Sequence, residues 1–161
     1  MKRFLIVAAM LFGFAVAASA QPKALGLRFG YGAELSYQHA VGGANFIEAD
    51  LGLGDFKYAN VAATYNFMLA QPAWTDRGEW GFYAGPGVSV GSELINIDAQ
   101  GHNHPYFHVS AAGMVGLEFS FWFPLQLSFD IRPQLGVWTG GGQSGFYFGG
   151  WCPALGVRYR F

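Results

Sequence analysis

The stretch that decides the fold is Phe107–Phe121, which reads FHVSAAGMVGLEFSF. Apolar side chains occupy nearly every second position, while His108, Ser110, Glu118 and Ser120 stand between them. A period of two is typical of a β-strand with unlike faces, because successive side chains point to opposite sides. The stretch therefore predicts a long strand with one apolar face and one polar or glycine-rich face.

The same alternation recurs along the rest of the chain, and no window shows the apolar stripe of an amphipathic helix. We place Tyr147 and Trp151 on the apolar face of the last run and Cys152 on its polar face. The pattern predicts eight strands, within residues 25–31, 35–37, 47–53, 59–69, 82–90, 107–121, 125–137 and 147–161.

The composition indicates what surrounds these strands. Hydrophobic residues make up 52% of the 161-residue chain and charged residues only 12%, against roughly 25% charged in a soluble domain. A soluble sandwich turns its polar face to water, where many Lys, Glu and Thr would be expected. Here the polar face is rich in glycine and carries isolated charges, which favours a barrel with its apolar face toward lipid. Backbone groups in lipid must all be paired, so such a sheet must close.

The first twenty residues have the three parts of an export signal. Lys2 and Arg3 precede an apolar run, and Ala18-Ser19-Ala20 is a small-residue cleavage site. We expect residues 1–20 to be a signal peptide and residues 21–161 to be one barrel domain in the outer membrane of a Gram-negative cell. Seven Lys and Arg against ten Asp and Glu would remain, so nucleic acid is not an expected partner.

The strand count depends on the first two runs, which either form a hairpin turning at Gly32-Ala33 or are one strand over residues 25–39. Single-chain bacterial barrels have an even number of strands, which favours the hairpin. The turns at 42–44, 71–79 and 123–124 would be periplasmic, and those near 32, 55–58, 91–105 and 139–145 extracellular. Pro86, Pro133 and Pro153 cannot donate to a ladder, so each is expected at a bulge or a strand end.

The last residues and several internal segments point to a family. Val157, Tyr159 and Phe161 place apolar and aromatic side chains at alternate positions before the C-terminus, which resembles the signal read by the outer-membrane barrel-assembly machinery. With segments 25–28, 34–39 and 124–130, the chain resembles the small OmpX- and OmpA-like outer-membrane barrels. The resemblance implies an all-β, eight-stranded, antiparallel up-and-down transmembrane barrel. It implies little about function, because this superfamily hosts adhesins, anchors, conduits and a few enzymes.

The charges of the polar face would then lie in the lumen. We predict a network of nine residues: Arg28, Glu34, Glu48, Asp50, Glu118, Asp130, Arg132, Arg158 and Arg160. Unpaired charges in such an interior cost several kcal/mol each, so these should pair across strands. An eight-stranded barrel is just wide enough for its side chains to fill. We therefore expect a closed lumen and a structural or surface-interaction role. The alternatives are a narrow conduit for small solutes or ions, and a lipid A-modifying hydrolase.

The hydrolase alternative depends on His108 and Ser110, whose spacing resembles that of lipid A deacylase barrels. Glu118 lies eight residues beyond Ser110, roughly 26 Å along a strand, and farther still from His108, which is too far to orient the histidine. We therefore expect no enzyme activity. His102 and His104 lack a fixed third ligand, so no metal or cofactor is expected. The expected partners are outer-membrane lipids, the assembly machinery and an extracellular ligand bound by the loops, and we expect a monomer.

Overall fold

The structure is a computed structural model that describes residues 23–54, 58–93 and 105–161. The predicted signal peptide, His102 and His104 lie outside the described residues. No helix in the described ranges is long and apolar enough to cross a membrane. The elements in them are β-strands: β1 Lys23–Phe29, β2 Gly32–Gly42, β3 Asn45–Gly54, β4 Tyr58–Ala70, β5 Gly78–Glu93, β6 Phe107–Phe121, β7 Leu125–Ile131, β8 Gln134–Gly140, β9 Gln143–Gly149 and β10 Ala154–Arg160.

The strands close into a barrel in which neighbours are antiparallel. Each strand from β1 to β6 pairs with the next, and β10 pairs back onto β1. Strand β6 pairs with β7 along its second half and with β8 along its first half, in one register. Strands β7 and β8 are thus two parts of one interrupted strand, and so are β9 and β10. When each interrupted strand is counted once, the barrel wall has eight strands. This confirms the predicted all-β, eight-stranded antiparallel fold.

The hairpin between β1 and β2 turns two residues earlier than predicted. Phe29 faces Ala33 across the pair, and the Gly30 N–H donates to the Gly32 carbonyl over 3.0 Å. The turn therefore lies at Gly30 and Tyr31, not at Gly32-Ala33, and a single strand over residues 25–39 is excluded. A tight turn was correctly expected here, but two glycines in three residues leave its position open to sequence reasoning.

The interruption between β9 and β10 is a bulge. Gly149 faces Gln134 and Ala154 faces Asp130, so four residues (150–153) lie opposite three (131–133). The extra residue reverses the faces beyond it. Phe146 and Phe148 point outward, and the predicted place of Tyr147 on the apolar face is wrong because its ring lies inside against His108.

The same bulge explains the surroundings of two other residues in this region. Cys152 is exposed rather than packed in the lumen as predicted, because it belongs to the irregular segment. Gly150 has a φ of 74°, and a Cβ there would meet the Arg132 backbone. Only glycine accepts both conditions without strain.

Pro133 and Pro153 lie outside the strands, as expected. The expectation is wrong for Pro86, which lies inside β5 opposite Gly113 with no shift of register, so that it marks neither a bulge nor a strand end.

The outer and inner faces of the strands differ as the alternation predicts. Most large apolar side chains are exposed on the outside; Leu51 and Val61, for example, keep about half of their surface (52% and 47%). The buried residues are mostly polar or charged, and the apolar core is small: Phe46, Tyr83 and Met114, with Met68 packed against it. Some lumen glycines make room for a large neighbour: a Cβ on Gly116 would clash with the Tyr83 ring, and one on Gly81 with Met68.

Candidate functional site: the lumen and its two cavities

The centre of the lumen is held by Arg158, whose side chain is fully buried. Its guanidinium donates to Glu48 over 2.7 Å, to Ser128 over 2.7 Å and to Ser36 over 2.9 Å. These partners lie on β3, β7 and β2, so one arginine from β10 links four strands of the barrel wall. The second Glu48 oxygen accepts from Gln38 over 2.7 Å, which leaves neither charge of the pair without a partner.

Arg28 joins the centre to the end of the barrel where β1 turns into β2. It contacts Glu34 over 2.7 Å and Asp130 over 2.6 Å. Arg28 and Glu34 lie directly opposite each other on β1 and β2, so the hairpin itself creates this pair. Asp130 also accepts from Tyr83 and from Ser128, and Ser128 leads back to Arg158.

Arg132 completes the cluster from the interruption between β7 and β8. Its guanidinium contacts Asp50 and Glu34, so Glu34 bridges two arginines. Asp50 Oδ1 and Arg132 Nε are buried and have no hydrogen-bond partner among the described residues. Seven of the nine predicted lumen charges are thus linked in one cluster, which we call the charge cluster: Arg28, Glu34, Glu48, Asp50, Asp130, Arg132 and Arg158.

The other two predicted charges lie apart from the cluster, toward the end that carries Lys23 and Phe161. We call this the terminal end, and the opposite end the far end. Glu118 accepts from Gln126 over 2.7 Å. Arg160 is half-buried and lines, with Glu118 and Gln38, a cavity of about 420 Å³ that we call the terminal cavity.

A second and larger cavity, the far cavity, lies at the far end. It measures about 610 Å³, and Arg28, Glu34 and Arg132 form its floor. Its walls combine hydrogen-bonding groups with aromatic rings: Asn60, Gln134, Tyr31, Tyr58, Tyr147 and Trp151. The charge cluster therefore lies between two cavities that enter the lumen from opposite ends.

His108 and Ser110 make contacts with different partners among the described residues. The His108 ring stacks on Tyr147, at 3.9 Å between centroids, and is also parallel to Tyr58, at 5.3 Å. The Tyr58 hydroxyl lies 2.8 Å from the histidine nitrogens and 3.0 Å from the Tyr147 hydroxyl. Ser110 donates to the Ser89 carbonyl instead, over 3.5 Å. Within the described residues there is no cluster of three metal-ligating side chains.

Sequence reasoning missed the residues that complete these contacts. The alternating pattern does not point to Tyr58, because the predicted strand over residues 59–69 begins one residue after it. The pattern does point to Tyr83, since it is the largest side chain on the polar face of β5. The residues of the predicted assembly signal, Val157, Tyr159 and Phe161, have side chains exposed on the outer face of the barrel. They lead toward the terminal end. Aromatic rings cluster at that end around Trp80, Phe119, Phe121 and Phe123, and at the far end around Tyr106 and Trp138.

Comparison with known proteins rests on structure alone. No family model matches the sequence, and no curated protein matches it significantly. Among solved structures, the chain is similar to a major outer membrane protein from Thermus thermophilus, with a TM-score of 0.50. The two sequences are 14% identical, and the match covers 88% of this chain and 97% of that one. At this identity the likeness supports the barrel fold.

Proposed function

We propose that this protein is an outer-membrane β-barrel with a closed lumen, which acts as a structural or surface-interaction protein of the cell envelope. Its membrane placement is supported by the inverted distribution of side chains, with large apolar residues exposed and ion pairs buried. In water such a surface would expose far more contiguous apolar area than monomers tolerate. The export signal expected in residues 1–20 agrees with this placement, as does the outer-membrane origin of the structural neighbour.

The observation that carries the closed lumen is the charge cluster. Its seven side chains come from β1, β2, β3, β7 and β10 and from Arg132 between β7 and β8, so they reach across the barrel. Each guanidinium has at least one carboxylate partner, which is what keeps such groups stable away from water. A permanent ion path would need water in place of these contacts. The cluster thus supports a plug, and a narrow conduit is the alternative.

With the lumen closed, contact with the surroundings falls to the two rims. The terminal end would face the periplasm, since the first and last described residues, Lys23 and Phe161, and the turns at 43–44, 71–77 and 122–124 lie there. The far end would then be extracellular and present residues 94–106, the longest segment between two strands, to partners. We propose that the protein is a monomer without enzyme activity, folded by the barrel-assembly machinery.

Conductance in planar lipid bilayers tests the proposal. The refolded protein is expected to give no steady openings, whereas the variant Arg158→Ala/Glu48→Ala should conduct because the central contacts are gone. Glu79→Ala, an exposed residue at the rim of the terminal cavity, is the matched control and should stay silent. Steady openings of the unaltered protein, under conditions that leave it folded, would instead establish the conduit.

A further inference from the structure

The wall of the barrel is uneven at the far end. Strand β10 faces β1 up to the pair Leu155 and Phe29, after which β1 turns away at Gly30 and Tyr31. The β8–β9 hairpin continues for about ten more residues, or roughly 25 Å along the barrel axis for tilted strands. Among the described residues β9 pairs with β8 alone. The wall therefore has a gap, which we call the notch, between β9 and the tip of the β1–β2 hairpin.

The exposed apolar side chains form a band around the outside of the barrel, which we call the apolar belt, and the notch lies at the level of this belt. Phe146, Phe148 and Trp151 are exposed beyond or beside the β1–β2 tip, with 88%, 66% and 52% of their surface accessible. If the belt marks the hydrocarbon, as we propose, it reaches past that tip. A sheet edge with unpaired N–H and C=O groups is not tolerated in hydrocarbon unless something polar covers it.

The far cavity opens toward this gap. Gly30, Tyr31 and Gly32 line it from one side of the notch, and Gly149, Gly150, Trp151 and Cys152 line it from the other. Its volume of about 610 Å³ lies within the usual range for small-molecule sites, about 300–1,000 Å³. The cavity thus connects the polar floor of the lumen with the lipid side of the wall.

The lining indicates the chemistry of a ligand. Arg28 and Arg132 are already paired with Glu34, Asp50 and Asp130, so the floor offers no unpaired cation to an anionic head. The other charged residue of the lining, Glu93, is an acid and would repel such a head. The side chains of Asn60, Gln134, Tyr58 and Tyr147 offer donors and acceptors, and the rings of Tyr31 and Trp151 flank the exit. An uncharged hydroxylated head fits the floor and the open edge of β9, and a hydrocarbon chain fits the exit.

We propose that the far cavity binds a single-chain amphiphile with an uncharged polar head, which enters sideways from the outer leaflet through the notch. Its head contacts the Asn60, Gln134 and tyrosine side chains and covers the edge of β9. Its chain passes between Tyr31 and Trp151 into the lipid. The inference depends on the proposed membrane placement, but not on whether the lumen conducts.

The single cysteine of the chain provides the probe, because Cys152 lies in the notch and is exposed. A fluorophore on Cys152, in lipid nanodiscs, is titrated with a monoacylglycerol brominated on its chain. The expected result is saturable quenching that unbrominated monoacylglycerol reverses. The variant Tyr31→Ala/Trp151→Ala should raise the half-saturating concentration about tenfold, the equivalent of about 1.4 kcal/mol. Because Trp151 neighbours the label, affinity is read from the concentration dependence and not from the amplitude.

The matched control is Trp74→Ala/Trp122→Ala, which removes two exposed rings at the terminal end. It should leave the titration unchanged. Quenching that grows linearly with bromine content, or an unchanged affinity in the Tyr31/Trp151 variant, would overturn the site. Tighter binding of a brominated lysophosphatidylglycerol would overturn the uncharged head. Flotation with liposomes separates the two proposals: a protein that floats but shows linear quenching refutes only the notch, whereas one that does not float refutes the membrane placement.

Discussion

Arg158 and Glu48 form an ion pair of 2.7 Å at the centre of the barrel, with both side chains fully buried, although 110 residues separate them in sequence. The pair links β10, the last strand, to β3. It can form only after the barrel closes, because β10 reaches β3 through its pairing with β1. The contact therefore reports closure as well as stability.

Removing one partner of this pair should be far more harmful than removing both. Glu48→Gln leaves a buried guanidinium without its counterion, which costs about 3–5 kcal/mol. Glu48→Gln/Arg158→Met should recover a large part of that loss. Urea unfolding of the refolded barrel in detergent, followed by tryptophan fluorescence, measures both. Glu79→Gln, at an exposed glutamate, is the control, and a single variant no worse than this control would contradict the assignment.

The bulge at 150–153 makes Gly150 intolerant of any side chain. Gly150→Ala adds backbone strain at positive φ and a collision with the Arg132 carbonyl, so we expect a loss of about 1–3 kcal/mol or more. Gly142→Ala is the matched control, because its φ of 77° is similar but nothing lies within 4 Å. The temperature of the heat-modifiable gel shift ranks the two variants. Equal shifts would mean that the contact with Arg132 is unimportant.

The reversed faces of β9 can be tested by chemical labelling. In a Cys152→Ser background reconstituted in lipid, Phe146→Cys should react with a membrane-soluble maleimide and Tyr147→Cys with a water-soluble one. The bulge predicts this order because Phe146 points outward and Tyr147 inward. The opposite preference would restore the uninterrupted alternation predicted from sequence.

The C-terminal aromatic residue should matter for assembly and not for stability. Phe161 is exposed and lies after the last strand, so Phe161→Ala should change the unfolding free energy by less than about 0.5 kcal/mol. In cells the same variant should lower the yield of heat-modifiable barrel, since the assembly machinery would read it poorly. Trp122→Ala controls for loss of an exposed ring at that end. Normal cellular yield would argue against an assembly signal at Phe161.

The sequence predicts the barrel well because a period of two is a local property of each strand. Arg28 and Glu34 could also have been paired from sequence, since they lie six residues apart across a tight turn. Arg158 and Glu48 could not, because their contact depends on the accumulated register of several strands. Tyr147 was misplaced for a related reason. A single inserted residue reverses the faces; Pro153 indicates a bulge or a strand end there, but it does not show that a residue is inserted.

The central claim is that the apolar side chains on the outer face of the strands point into the hydrocarbon of the membrane. A nitroxide scan over residues 60–67 of β4, in lipid bilayers with Cys152→Ser, tests it most directly. Labels at Val61, Ala63, Tyr65 and Phe67 should be accessible to oxygen and shielded from a nickel chelate, and labels at Asn60, Ala62, Thr64 and Asn66 should be shielded from oxygen. If the odd-numbered positions are instead freely accessible to the nickel chelate, the apolar face meets water and the membrane barrel is refuted.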